Sequence, residues 1–348
     1  MPSFSLSSAF SPIKNNRGMA LLIALTVISL IVALTIQFNK NMRQNLLASG
    51  IQSNSGKLEA MASSGVNLAM AVLLKDAKDN EHDSLQDSWA LLADEDLSKL
   101  FDAGLLTIKI IDNSGKFQIN SLVHSKDQQP EGKSPQQVTA QEQDARNILW
   151  RLLRKEPFNL EDSAARTIID SLIDWIDTGD GDGEQEFGAE SSYYLSLNPP
   201  YACKNGPVEF IEELLLVKGF TPELLFGTEK HPGLAALLTT QGNDGQININ
   251  TADPLLLQAL HEDMTKEMAE DMRAFRVDKN NKDKLASTAW VSEVLPFFTG
   301  QNALKNITVK SHSFTIFSHA QLDSTEKNIV ATVQRENQRT TLLSWKVE

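Results

Sequence analysis

The chain has 348 residues, enough for two or three domains. Its formal net charge of −13 argues against a nucleic-acid-binding protein, because such proteins usually present a basic face. Cys203 is the only cysteine, which excludes an internal disulfide. A chain of this length can be stable on its hydrophobic core alone, so this absence does not argue against export.

An uncharged, mostly apolar run from Met19 to Ile36 follows a short basic head that contains Lys14 and Arg17. About 20 such residues cross a bilayer, and the preceding cations favour a cytoplasmic N-terminus. A secretory signal places its cleavage site after the apolar core. Here Gly18 stands before the core, so cleavage after Gly18 would retain the membrane helix. A plain signal anchor is the alternative.

The apolar run continues into a helical pattern that reaches about Lys75 without a proline. Apolar residues recur at near-helical spacing and form one stripe, which we expect to face a core or a partner. The stripe comprises Ile51, Leu58, Ala62, Val66 and Ala69. The pattern predicts a single long helix whose first half lies in lipid and whose second half packs on a soluble domain.

The next segments alternate between strand and helix patterns. Residues 105–111 and 116–120, joined by a turn at 112–115, predict a β-hairpin, and the polar stretch 126–140 predicts a loop. Residues 141–296 have a helical period, and short strands follow residue 296. The strands on either side of the helical block are expected to share one sheet that packs on the long helix. This order favours an α+β fold with a helical insertion.

The segment 174–190 is dense in carboxylates, and no Lys or Arg occurs between Arg166 and Lys204. Flexible, glycine-rich backbone with hard oxygen ligands suits Ca²⁺, although the spacing is not that of an EF-hand. A solvated acidic loop is the alternative. Asp174 lies on a predicted helix, where it is expected to cap the helix or face solvent. Tyr193, Tyr194 and Tyr201 are expected to pin the loop to the helical core.

Two segments, 208–220 and 247–257, are similar to helix-hairpin-helix units. In DNA-binding versions, glycine-rich hairpins and basic residues contact phosphates. Here the first hairpin has only Gly219, and Glu212, Glu213 and Glu223 surround it. Packed helical hairpins are therefore favoured over a membrane-anchored DNA-uptake protein. The sequence contains no HExxH pair, P-loop or G-x-S-x-G motif, which argues against an enzyme and against a secreted metalloenzyme in particular.

Together these features resemble the type II secretion minor pseudopilin K family over nearly the whole chain. The matching motifs are RGMAL at 17–21, FQINSL at 117–122, DWID at 174–177, GAE at 188–190, YY at 193–194, PY at 200–201, NGP at 205–207, EL at 213–214, VKG at 217–219 and ININTA at 247–252. Counted from Met19, the fifth residue is Ile23, whereas most pilin-like subunits carry glutamate there. A buried carboxylate in lipid is costly without a partner, so an apolar residue suits a subunit with no neighbour ahead of it.

The resemblance implies a non-enzymatic, pilin-like α+β protein: a long N-terminal transmembrane helix packed on an antiparallel sheet, interrupted by an all-α insertion with helical-hairpin, SAM-like units. It implies a place at the tip of the periplasmic pseudopilus with the minor pseudopilins I and J. It also implies cleavage by prepilin peptidase between Gly18 and Met19, N-methylation of Met19, and a single pass through the inner membrane. Nucleic acid is not expected as a partner.

The resemblance further implies a calcium site in the acidic loop and a division of the chain. Mapped by position, the candidate calcium ligands are Asp177, Asp180, Asp182, Glu184, Glu186 and Glu190. The expected segments are a leader at 1–18, the N-terminal helix at 19–75 with its membrane part at about 19–38, a first β region at 76–125, the helical insertion at 126–296 and a second β region at 297–348.

Overall fold

The computed structural model describes residues 16–101, 103–124, 134–179, 183–300, 303–323, 325–336 and 339–348. The chain divides into two compact units, Met1–Leu58 and Glu59–Glu348. Helix α1, Asn16–Asp79, supplies the described part of the first unit and the first element of the second. Among the described residues it is the one helix long and apolar enough to cross a membrane.

The second unit is built on a four-stranded antiparallel sheet with the order β1-β6-β7-β8. Its strands are β1 Leu105–Asp112, β6 Ser313–Leu322, β7 Thr325–Glu336 and β8 Arg339–Val347. Strand β1 precedes the helical block and pairs with β6, which follows it. The prediction that strands on both sides of the block share one sheet is therefore confirmed.

Residues 59–79 of α1 lie on one face of this sheet. Ser318 of β6 donates a hydrogen bond from Oγ to the carbonyl oxygen of Ala62 at 2.8 Å. Gly65 lies so close to Ser318 that a Cβ atom there would collide with the serine hydroxyl. The predicted stripe is buried from Leu58 through Ala62, Val66 and Ala69, whereas Ile51 is 64% exposed and does not belong to it.

The predicted hairpin between residues 105 and 120 is wrong. The chain turns after β1, where the Ser114 N–H donates to Asp112 Oδ1 at 2.8 Å, but the next strand does not return along β1. Strand β2, Phe117–Gln118, instead pairs in parallel with β3, Leu238–Thr239. The Phe117 N–H donates to the Leu237 carbonyl oxygen at 2.8 Å, so a long-range partner takes the place of the local one.

The helical insertion lies between β2 and β6 and includes short strands of its own. Its helices are α3 Pro135–Arg154, α4 Asp162–Ile176, α5 Ser191–Tyr194, α6 Pro222–Phe226, α7 Pro254–Ala259, α8 Lys266–Val277 and α9 Trp290–Val294, and α2, Ser88–Leu91, precedes it. Strand β4, Ile247–Asn248, pairs in parallel with β5, Ile307–Thr308. The loop predicted at 126–140 is partly helix, because Ser134 and Gln137 form a capping box that starts α3 at Pro135.

A buried polar junction joins α1, the sheet and the insertion. Arg335 of β7 donates from Nη1 to the carbonyl oxygen of Leu73 at 3.2 Å and pairs with the Asp83 carboxylate through Nη2. Asn248 of β4 donates to Ser311 Oγ at 2.7 Å and to the Asp83 carbonyl oxygen at 3.2 Å. Each polar group thus has a partner on another element, which fixes the insertion against the sheet.

Replacing Arg335 by Met is expected to destabilise the second unit by roughly 3–5 kcal/mol, because a buried carboxylate loses its cation. Arg339→Met on exposed β8 is the matched control and should change stability little. The measurement is thermal unfolding of the detergent-solubilised full chain by tryptophan fluorescence, since all five tryptophans follow residue 58. An Arg335→Met melting temperature equal to that of the control would contradict the role given to the junction.

Candidate functional site

The strongest candidate site lies where α4 runs into the acidic loop. One face of α4 is apolar and buried, and this fixes the helix within the core of the insertion. Asp174 sits in its last turn, Asp177 is the residue that ends it, and Glu190 immediately precedes α5. The two helix ends therefore bring carboxylates from opposite ends of the loop together.

Asp174 is fully buried and organises the loop that follows it. Its Oδ1 accepts a hydrogen bond from the Gln185 N–H at 3.0 Å, and its Oδ2 accepts one from the Ala189 N–H at 2.9 Å. A Cβ atom on Gly188 would overlap the Asp174 carboxylate, so glycine is required for this close approach. The expectation that Asp174 faces solvent or caps the helix is wrong, because the loop folds back over it.

The side chains of Asp174, Asp177 and Glu190 each offer an oxygen, and these oxygens lie within 4.8 Å of one another. Asp174 and Glu190 are buried and Asp177 is half-buried. Calcium binds oxygen at about 2.3–2.6 Å, so two ligands of one ion lie no more than about 5 Å apart. The donor set and its spacing therefore fit a calcium ion.

The electrostatics of the cluster favour a cation. Burial raises the pKa of Asp174 to about 6, and the neighbouring Asp177 and Glu184 carboxylates add to the rise, against the two backbone hydrogen bonds. Like charges in a partly desolvated place disfavour ionisation. A bound cation would reverse this balance and stabilise the charged carboxylates.

Aromatic residues and one lysine hold the loop from the other side. Tyr194 is buried and packs edge-to-face on Trp175, with ring centroids 5.1 Å apart, and stacks on Tyr201 at 5.4 Å. Lys218 donates from Nζ to the Gly188 carbonyl oxygen at 2.8 Å and lies 5.0 Å from the Tyr193 ring centroid. The tyrosines pin the loop to the helical core, as predicted.

The structure sorts the predicted calcium ligands into groups. Asp177 and Glu190 join the cluster, whereas Glu184 and Glu186 are exposed and lie outside it. Asp180 and Asp182 lie outside the described residues. The sequence analysis did not include Asp174 among the candidate ligands. Its position among the buried apolar residues of α4 was the sequence signal that could have identified it.

The hairpin-like segments serve packing. Gly219, with a positive φ of 94°, turns against α4, and a Cβ atom there would lie 2.8 Å from Ile168 Cγ1. In the second segment Asp253 caps α7 by accepting a hydrogen bond from the Leu255 N–H at 2.8 Å. Both turns make their contacts within the chain, to α4 and to the start of α7, which agrees with the structural interpretation of these segments.

The predicted processing site lies at the start of α1. Gly18 and Met19 are helical and exposed, and a Cβ atom on Gly18 would have no neighbour within 4 Å. The open backbone at this point is compatible with access by a peptidase, and cleavage there stays a prediction.

The fold is that of a pilin-like subunit: a long apolar N-terminal helix, an antiparallel sheet on which its second part packs, and a large helical insertion between the strands. A chain of the crystal structure of the GspK–GspI–GspJ complex from enterotoxigenic Escherichia coli has this fold. The TM-score is 0.61 at 20% sequence identity, over 85% of this chain and 98% of that chain.

Sequence comparison gives the family. Residues 115–231 match the family described as type II secretion system (T2SS), protein K. The chain is 29% identical over 323 residues to the type II secretion system protein K of Aeromonas hydrophila, covering 91% of this chain and 92% of that protein. It is 25% identical over 328 residues to the Pseudomonas aeruginosa protein K, covering 92% and 90%. The chain is thus similar to type II secretion system protein K along about nine tenths of its length.

Proposed function

We propose that the protein is a minor pseudopilin that caps the periplasmic pseudopilus of a type II secretion system and assembles there with I-type and J-type minor pseudopilins. The observation that carries this proposal is the shared fold with a chain of the solved GspK–GspI–GspJ complex, which this chain matches over 98% of that chain's length. The protein acts as a structural subunit and not as an enzyme.

The insertion supports placement at the tip. It occupies most of the chain between β2 and β6 and adds helices α3 to α9 to the pilin-like sheet. A filament interior packs its subunits side by side on all faces, which leaves no room for so large an addition. An end subunit has one free side, where the insertion can project.

The membrane segment also supports placement at the tip. Ile23 is the fifth residue after Gly18, within the apolar part of α1. A carboxylate in lipid is costly unless a neighbouring group neutralises it, and a subunit with no neighbour ahead has no such group. An isoleucine at this position is therefore suited to the leading subunit.

Helix α1 anchors the protein as a single pass in the inner membrane, with the second unit in the periplasm. The cations Lys14 and Arg17 precede the apolar run and hold the N-terminus on the cytoplasmic side. Prepilin peptidase cuts after Gly18, and the new N-terminal Met19 is methylated.

Co-purification tests this proposal directly. The tagged full chain, extracted in detergent from cells that also produce the I-type and J-type subunits, is expected to carry both partners. The intact mass of the purified chain should correspond to residues 19–348 with one added methyl group. Recovery of the chain without either partner would contradict the proposed function, and a mass that includes residues 1–18 would contradict the processing.

We propose that Asp174, Asp177 and Glu190 are ligands of a calcium ion. When bound, the ion would neutralise the cluster and fix the loop between α4 and α5, as a structural and not a catalytic centre. The support is the oxygen spacing within 4.8 Å and the buried position of two of the three carboxylates. Magnesium should substitute poorly, because it requires a stricter octahedral geometry.

Adding Ca²⁺ to the EGTA-treated full chain is expected to raise its melting temperature. A ligand that binds only the folded state contributes about 2.7 kcal/mol when present at 100 times its dissociation constant. Asp177→Asn and Glu190→Gln should remove most of this shift. Glu184→Gln removes one charge from the same loop outside the cluster, so it is the matched control and should retain the shift. If Ca²⁺ leaves the melting temperature of the wild-type chain unchanged, the loop is a solvated acidic segment and not a calcium site.

A further inference from the structure

Strand β8 leaves an apolar surface uncovered. Directly opposed residues of antiparallel strands share a face of the sheet. Val347, Trp345 and Leu342 of β8 oppose Ile329, Ala331 and Val333 of β7 in turn. The three β7 residues are 0% exposed, whereas the exposed fractions of Val347, Trp345 and Leu342 are 42%, 41% and 45%. The same sheet face is thus closed over β7 and open over β8, and we name the open part the β8 inner face.

The rest of this sheet face is covered by helical elements of the second unit. Residues 59–79 of α1 cover β6 and β7 through the contacts of Ala62 with Ser318 and of Leu73 with Arg335. Next to β1, Trp89 of α2 packs edge-to-face on Phe314 of β6, with ring centroids 5.3 Å apart. The cover therefore ends beside β7.

The dimensions of the gap suit a helix. An α-helix with its side chains is about 10–12 Å across. Strands lie about 4.8 Å apart, so one helix covers about two of them. Helix α1 and the short helix α2 are too small to cover all four strands. The strip that stays uncovered lies along β8, at the edge of the sheet. The inward side chains of this strip, Leu342, Trp345 and Val347, are uncharged and apolar.

Within the second unit, the described residues leave this face open. The stretches of the second unit that the structure does not describe are 102, 125–133, 180–182, 301–302, 324 and 337–338. None of them contains Ala, Val, Ile, Leu, Met, Phe, Trp or Tyr. A second copy is disfavoured because two chains of formal charge −13 repel each other.

We propose that the β8 inner face is the docking surface for an amphipathic helix of an I-type or J-type pseudopilin, which lies beside α1 and completes the cover of the sheet. This inference rests on the proposed function, since it takes its partner from it. The mode is a helix that buries its apolar stripe in a groove. Trp345 is the central contact, because a large aromatic side chain in the middle of an apolar strip supplies most of the buried area.

Photo-cross-linking in cells tests the surface. A benzophenone amino acid is placed at Trp345 of the tagged full chain, in cells that produce both partner subunits. The matched control carries it at Phe317, which is 38% exposed on the opposite face of the same sheet. Position 345 is expected to form an adduct with the I-type or J-type subunit, mapped by mass spectrometry to its long N-terminal helix, and position 317 is expected to form none.

A charge substitution supplies an independent measurement. Trp345→Glu is expected to lower the yield of co-purified partner at least tenfold, whereas Phe317→Glu leaves it unchanged. Both variants should melt within a few degrees of wild type, since both side chains are exposed. A Trp345→Glu chain that is folded and retains its partners at wild-type yield would overturn the proposal.

The remaining outcomes are also decisive. Wild type that binds both partners without an adduct from position 345 would overturn the docking surface and leave the proposed function intact. An adduct with a partner's β-strand would show strand addition at the β8 edge instead, and an adduct with a second copy would show self-association. Wild type that binds neither partner would overturn the proposed function and this surface together.

Discussion

The structure of the second unit depends on the charge of Arg335 among buried carboxylates. Its guanidinium pairs with Asp83, lies 3.5 Å from Asp76 Oδ2, and donates to the carbonyl oxygens of Leu73 and Ser311. These partners belong to the end of α1, the segment that follows it and the segment before β6. A single side chain therefore ties the helix that leads to the membrane to the sheet. Burial raises the pKa of Asp76 to about 6, and the nearby Asp87 adds to the rise, so the compensation of acidic charge here is incomplete.

The insertion is joined to the same junction by amides. Asn248 and Asn250 both donate to the Asp83 carbonyl oxygen, and Asn250 accepts a hydrogen bond from the Trp290 indole at 3.0 Å. These contacts link β4, the turn after it and α9 to the segment that follows α1. These hydrogen bonds hold the helical insertion in a fixed position against the sheet. A subunit at the filament end can therefore carry the insertion as a rigid projection.

The sequence predicted the elements better than it predicted their partners. Apolar periodicity located α1, α4 and the C-terminal strands, because each buries one face in a regular pattern. The pairing of Phe117 with Leu238 was not predictable, since a two-residue parallel pair leaves no local signal. Asp174 was missed as a candidate ligand for a related reason. Its role depends on backbone N–H groups at 185 and 189 that only the folded loop brings to its carboxylate. The acidic composition indicated a cation, but it could not distinguish buried Glu190 from exposed Glu184.

Placement at the end of the filament is tested by locating the protein within assembled pseudopili. Pseudopili that contain the full chain with an epitope tag after Glu348 would be labelled with gold and imaged by electron microscopy. Gold is expected at one end of each filament and not along its sides, because the insertion has room only where a neighbour is missing. Gold distributed along the sides would show that the protein is not an end subunit.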